Sequence, residues 1–450
     1  MALNMETHLE HLADWSSSFV LEGVPDEVAH VAKRCIIDTT AVTLAGSSTA
    51  LAGYISQYAS VAYGSGKATV LGMERNLSPV GAALVNGTSG HALDFDDTSY
   101  TGIMHGSVVA MPAALATTEL VGGDGHRFLE AFIAGSEVTY AVAMLCTTSH
   151  YFKGWWSTST LGVFGAAAAA ARAMDLSPND TLSSLALAGL QTFGLKAAFG
   201  TSAKPYLAGR AAAIGVESAL LAQRGLSGPA AMFEDDRGFL KLLNDGISDY
   251  DGVEKLGKIW RLVNPGIFIK RYPVCSAAHA AVELTIKLLT DNDICGDAVE
   301  RVLCEVPPVV SISLVYDHPE TPQEAQFSMQ FAVAAVLMRG DLGIECLSED
   351  VISDQKFRDA MAKVEMRRND SLESKTEPES ARVTLVTKNG DEISDYLGQP
   401  VGMPGNPMSD AVLHEKFRRC ATVGGLNSAT AEALLLHMTD IELAHSPLLR

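Results

Sequence analysis

The chain contains no Cys-x-x-Cys pair, and its seven cysteines, at 35, 146, 275, 295, 304, 346 and 420, have no histidine at zinc-ligand spacing. Scattered and odd in number, they argue against both a zinc ribbon and a disulfide-stapled secreted domain, so free thiols in a reducing, cytoplasmic setting are expected. Positive charge is scarce too: 33 Lys and Arg face 53 Asp and Glu, a formal net charge of −20. Such a surface repels phosphate backbones and anionic headgroups, which excludes nucleic acid and membrane surfaces as expected partners. An anionic small molecule would need a locally basic pocket. The stretch 1–18 carries Glu6, Glu10 and Asp14 where a secretory signal would be basic and then apolar, so none is expected. The longest alanine-rich apolar run, 161–171, falls short of the roughly 20 residues that cross a bilayer. No glycine-rich phosphate loop, internal repeat or low-complexity tract appears.

What is present is enough apolar material for more than one core. The 450 residues are 47% hydrophobic and 19% charged, and single cores stop growing at roughly 250–300 residues, so two domains are expected. Helical apolar periods recur over 27–45, 80–93, 128–145, 182–190 and 211–222, and alanine and glycine from Gly162 onward let helices approach closely. Pro25, Asp26 and Glu27 suit a helix start. After Pro265 the pattern becomes mixed: β-branched or alternating stretches at 267–272, 299–306 and 382–387, with a helical stretch at 277–289. Asn389-Gly390 predicts a tight hairpin with two positive φ angles, and the charged stretch 366–380 an exposed connection or sheet edge. Helical periods return at 410–422 and 429–439. The expected organisation is a helical domain of 1–265 completed by 405–450, and an α+β domain of 266–404.

The chemistry-bearing residues gather in five segments. Ala92-Leu93-Asp94-Phe95-Asp96-Asp97-Thr98 is followed seven residues later by His105. Phe199-Gly200-Thr201-Ser202-Ala203-Lys204-Pro205, Ile269-Lys270-Arg271-Tyr272-Pro273, Glu324-Ala325-Gln326-Phe327-Ser328-Met329 and the run from Gly402 through Pro404 to Asp410 come after it in that order. Together they resemble the signature stretches of the MmgE/PrpD family, which includes methylcitrate dehydratases, aconitate decarboxylases and iminodisuccinate epimerases. The resemblance implies a mainly α fold, with a large all-helical domain and a smaller α+β lid domain, a homodimer, and a site between the domains. It also implies a small carboxylate substrate and no metal or organic cofactor, although Asp94, Asp96 and Asp97 alone would also suit a divalent cation.

Removing a proton beside a carboxylate requires a positioned base and cationic groups that receive the charge. By the resemblance, Lys204 is the catalytic base, Lys270 with Arg271 holds the substrate carboxylate, and Asp94 and Thr98 are active-site positions. His105 is the proton donor, and Tyr272 is a further substrate contact. Three positions depart from the family pattern. Trp156 stands in place of a histidine, making the pocket less cationic and better suited to an aliphatic or aromatic substrate arm. Cys275 also replaces a histidine, without being assigned as a nucleophile, and Phe331 replaces a tyrosine. The last loss and that at Trp156 count against aconitate decarboxylation. His150 and Tyr151 lie where an opposing acid or base would stand. The expected activity is a cofactor-independent lyase of dehydratase type, with a two-base epimerase and a non-catalytic small-molecule binder as the alternatives.

Overall fold

The structure, a computed structural model, describes residues 6–449. Its helical part begins where local chemistry directs. Asp26–Ser47 opens after Pro25 with Asp26 and Glu27 in the first turn, where carboxylates meet the positive end of the helix dipole. Pro79–His91 starts with the Ser78 hydroxyl accepting the Gly81 N–H. Helices then pack through their small residues. A Cβ on Gly209 would lie 2.2 Å from the Leu84 carbonyl oxygen, and one on Gly87 would lie 2.8 Å from the Gly209 Cα. The Pro79–His91 and Ala203–Ala222 helices therefore touch backbone to backbone. That contact matters for function, because the loop leaving the first carries Asp94 and the first turn of the second carries Lys204.

Gly125–Cys146, at 22 residues, is long and apolar enough to cross a bilayer, yet 94% of its most apolar window is buried inside the protein. It is a core helix, and it holds Glu137. That carboxylate accepts the Arg261 and Leu262 N–H groups at 2.9 and 3.0 Å, and burial pushes its pKa up to about 7 against those hydrogen bonds. An acid with a raised folded-state pKa lends stability at low pH and loses it as pH rises through the folded value. Wild type is therefore expected to lose ~3 kcal/mol relative to Glu137→Gln as pH climbs from below 4.5 to above 7. Urea unfolding of both proteins across that range checks it, and parallel curves would refute it.

The helical part is not all helical. β1 (Ser65–Thr69) and β2 (Asn76–Leu77) pair antiparallel. Side chains from distant helices hold this hairpin. Asn86 bonds the Leu71 N–H and the Thr69 carbonyl, and Glu119 accepts the Thr69 N–H and hydroxyl.

The second part carries a four-stranded sheet in the order β4-β3-β5-β6, from β3 (Val299–Val306), β4 (Val364–Arg368), β5 (Ala381–Thr387) and β6 (Glu392–Leu397). β3 and β4 run parallel and the other pairs antiparallel. The β5 side chains alternate between buried and more open positions, and helices His279–Asp291 and Met329–Arg339 pack against the sheet. The turn between β5 and β6 has one positive φ, at Gly390 (91°), where two were expected. The stretch expected as a strand at 267–272 forms only a bridge between Phe268 and Thr98, since its partner is a loop. Of 366–380, expected as an exposed connection or a sheet edge, residues 366–368 belong to β4, the edge strand of this sheet.

Buried apolar side chains fall into two clusters. One runs from Leu9 to Ile269 and resumes at Met408, taking in Leu413 and Phe417 of the Asp410–Val423 helix. The other runs from Tyr272 to Leu385. The chain passes from one to the other between Ile269 and Tyr272, which places Lys270 at the crossing.

Candidate active site

Asp94 adopts a left-handed backbone, φ 47°, a conformation that a short polar side chain tolerates better than a branched one. Its carboxylate lies between two ammonium groups. Lys204 Nζ donates to Oδ1 at 2.6 Å; Lys270 Nζ donates to Oδ2 at 3.1 Å and to the Asp94 carbonyl at 2.7 Å. All three are buried, at 2%, 4% and 1% exposure for Asp94, Lys204 and Lys270. Burial alone would raise the Asp94 pKa, but the lysines outweigh it and hold the carboxyl well below the usual range. Burial likewise opposes charge on Lys270, and the carboxylates of Asp94 and then Asp96 overcome it, so its pKa is raised. Aromatic rings surround the Lys204 ammonium, with the centroids of Phe327, Phe199 and Trp156 at 4.9, 5.0 and 5.4 Å. Lys416, from the Asp410–Val423 helix, pins this arrangement from behind. Its Nζ donates to the carbonyls of Phe95 and Lys270, both at 2.8 Å, and pairs with Asp38 at 2.6 Å.

A second network adjoins the first. Asp96 is hydrogen-bonded to His91 Nδ1 at 2.8 Å and lies 3.2 Å from His105 Nδ1. His105 Nδ1 also meets the Asp97 carbonyl at 2.8 Å. A carbonyl only accepts, so Nδ1 carries the hydrogen and the neutral ring keeps its lone pair on Nε2. Nε2 has no hydrogen-bond partner among the described residues. Burial drives the His91 pKa down to about 4, overcoming the raising effect of Asp96, so this ring is neutral near pH 7. The three aspartates do not converge on a cation: Asp94 faces the lysines, Asp96 the imidazoles, and the Asp97 carboxylate is buried without a partner among the described residues.

Asp94, Thr98, His105, Lys204 and Lys270 border one cavity of about 310 Å³ between the two cores, together with Trp156, Tyr151 and Cys275. Ile103, also on its wall, has φ 54°, a costly conformation for a branched residue and one that structures keep mainly at functional sites. Burial, then the carboxylates of Asp94 and Glu379, push the Cys275 thiol up to about 12, which leaves no thiolate nucleophile. The Lys196 ammonium lies 3.8 Å from the centre of the Tyr151 ring.

Three expected site residues, Arg271, Tyr272 and His150, are placed elsewhere, as is Phe331, where the family pattern has a tyrosine. Arg271 and Tyr272 border a separate cavity of about 390 Å³ against the Asp410–Val423 helix, because the chain turns away after Lys270. His150 is packed between Trp155 and Phe239, bonded to the Thr160 hydroxyl at 2.7 Å, and outside the cavity wall. Phe331 is in the second core against Phe357, so the tyrosine missing there takes no hydroxyl from the cavity.

Residues the motifs did not single out include His91 and a trio on the cavity wall. Tyr100 and Ser276 donate their hydroxyls to Glu379 at 2.8 and 3.0 Å. Glu379 is buried, although it belongs to a stretch whose polarity reads as solvent-exposed. Lys416 did leave a signal, since Leu413, Phe417 and Cys420 put it on the apolar side of its helix.

Buried charge of this density facing a cavity of substrate size marks an enzyme of small-molecule chemistry. The chain belongs to the MmgE/PrpD family: residues 10–249 match the MmgE/PrpD N-terminal domain and residues 272–439 the MmgE/PrpD C-terminal domain. It is 27% identical over 435 residues to cis-aconitate decarboxylase of Homo sapiens, covering 93% of this chain and 88% of that one. To the cis-aconitate decarboxylase-like protein oryM of Aspergillus oryzae it is 27% identical over 441 residues, covering 91% and 90%. To cis-aconitate decarboxylase of Aspergillus terreus it is 24% identical over 472 residues, covering 96% and 92%.

Proposed function

We propose that this protein is a lyase of dehydratase type, taking a proton from the carbon beside a carboxylate of a small organic acid and expelling water from the next carbon. The observation that carries the reading is the fixed ring of His105, which leaves Nε2 as a free base in a cavity that also presents two ammonium groups. Lys270 holds the substrate carboxylate, and both lysines stabilise charge moving into its oxygens. His105 Nε2 takes the proton. The C–H electron pair becomes the second bond of the alkene, and the C–O pair leaves with the oxygen, which takes a proton from Lys204 and departs as water. This exchanges the roles expected from the motifs, Lys204 as base and His105 as acid. An ammonium donating to Asp94 has no lone pair with which to take a proton.

A second reading is favoured by the relatives named for cis-aconitate decarboxylation. The same cations would stabilise a carbanion formed by loss of carbon dioxide, and the absence of a tyrosine at Phe331 no longer counts against it. Epimerisation needs a second base opposite the first; of the two residues expected in that role His150 lies outside the cavity and Tyr151 lines it, its phenol pushed up by burial.

The test is mass spectrometry in deuterated water with hydroxy, amino and unsaturated acids, on wild type and His105→Asn. Loss of water that disappears in the variant is the expected result. Loss of carbon dioxide would assign a decarboxylase, and deuterium uptake into an otherwise unchanged acid an epimerase. Binding without any change in wild type would leave a non-catalytic binder.

A further inference from the structure

The cavity's charges nearly cancel. Lys204, Lys270 and Lys375 on its wall are matched by Asp94, Glu373 and Glu379. Asp94 already engages both buried lysines. A di- or tricarboxylate held by Lys270 and Lys204 would bring a further carboxylate into a cavity whose wall already carries Glu379. Glu379 is buried and accepts hydroxyl hydrogens from Tyr100 and Ser276; burial raises its pKa against these two donors and Lys270, and once it is ionised, like charges in a poorly solvated cavity repel strongly. The rings of Trp156, Phe199 and Phe327 give the cavity an apolar face around Lys204.

We infer that the substrate is a monocarboxylate with an aliphatic or aromatic arm, and that Glu379 sets this specificity by excluding a second carboxylate. The inference rests on the proposed proton-transfer reading for its catalytic sense, but it concerns binding and is tested by binding. Its geometry follows from the cavity: the single carboxylate meets Lys270 and Lys204, and the arm lies against the rings of Trp156 and Phe327.

Isothermal titration calorimetry of wild type and Glu379→Gln with isocaproate, phenylacetate, succinate and tricarballylate tests it. Wild type is expected to bind the two monocarboxylates at least about tenfold more tightly than succinate or tricarballylate, a difference on the order expected for one unfavourable charge contact. Glu379→Gln is expected to tighten succinate about tenfold and to leave phenylacetate within about twofold. Equal or tighter binding of succinate or tricarballylate by wild type would overturn the inference, as would failure of all four acids to bind. An unchanged ratio in folded Glu379→Gln would overturn the role of Glu379; if the variant does not fold, the wild-type ratio alone decides. Monocarboxylate preference without His105-dependent turnover would keep this inference and sink the lyase reading, while turnover of di- or tricarboxylates would do the reverse.

Discussion

Replacing Lys204 by methionine is expected to lower the rate of product formation at saturating substrate by about 10³-fold, the scale of losing a positioned acid and charge stabiliser. Methionine keeps the length of the side chain and its contact with Trp156, Phe199 and Phe327, and Asp94 retains Lys270 as a partner. The loss is therefore chemical more than structural. It also separates two steps. With His105 intact, the variant still removes the proton, so the acid recovered from deuterated water carries deuterium while little water is expelled. His105→Asn should stop both exchange and expulsion. Steady-state kinetics with exchange followed by mass spectrometry reads each outcome. A rise in KM with kcat unchanged would make Lys204 a carboxylate anchor, and loss of exchange with Lys204→Met would return the role of base to the lysine.

The residues that could be read from the sequence are those whose surroundings are local. Helix spans followed from apolar spacing, and the close approach expected from Gly162 onward is met at Gly165, where a Cβ would lie 2.5 Å from the Gly135 carbonyl oxygen; the contact of Gly87 with Gly209 was not singled out. Asp94, Thr98, His105, Lys204 and Lys270 were legible through their motifs. Their convergence was not, since it depends on helix packing between segments more than 100 positions apart. The β1–β2 hairpin was missed because Asn86 and Glu119, which hold its backbone, lie on helices that follow it. Arg271 was misplaced because neighbours on an extended chain point to opposite sides, so an orientation that brings Lys270 to Asp94 turns Arg271 away. His150 failed for a similar reason. It is close in sequence to Trp156, but the Ser149–Phe152 turn directs its ring to Thr160. Glu379 carried no signal, because a buried carboxylate in a charged stretch looks like its solvated neighbours until Tyr100 and Ser276 are brought to it.

Asp94→Asn should cost the fold ~3–5 kcal/mol, the scale of removing one partner from a buried ion cluster. Asparagine is the informative replacement because it is isosteric and also tolerates the left-handed backbone at this position, so the change reports charge and not strain. Without the carboxylate, two ammonium groups are buried side by side with little to offset their repulsion, and the lysine pKa values must fall. That reverses a sign. In wild type the Lys270 pKa is raised, so its stabilisation is present below the ordinary lysine pKa and is lost as pH rises through the folded value. In Asp94→Asn the folded protein binds fewer protons than the unfolded chain below the ordinary lysine pKa, so stability grows as pH rises towards that value. Urea unfolding from neutral to alkaline pH should show the variant gaining on wild type across the series. A deficit independent of pH would mean that Asp94 acts through the loop's shape. Equal stability of the two proteins would mean that the lysines find other partners, and the buried carboxylate would then not be what holds Lys204 and Lys270 on one cavity wall.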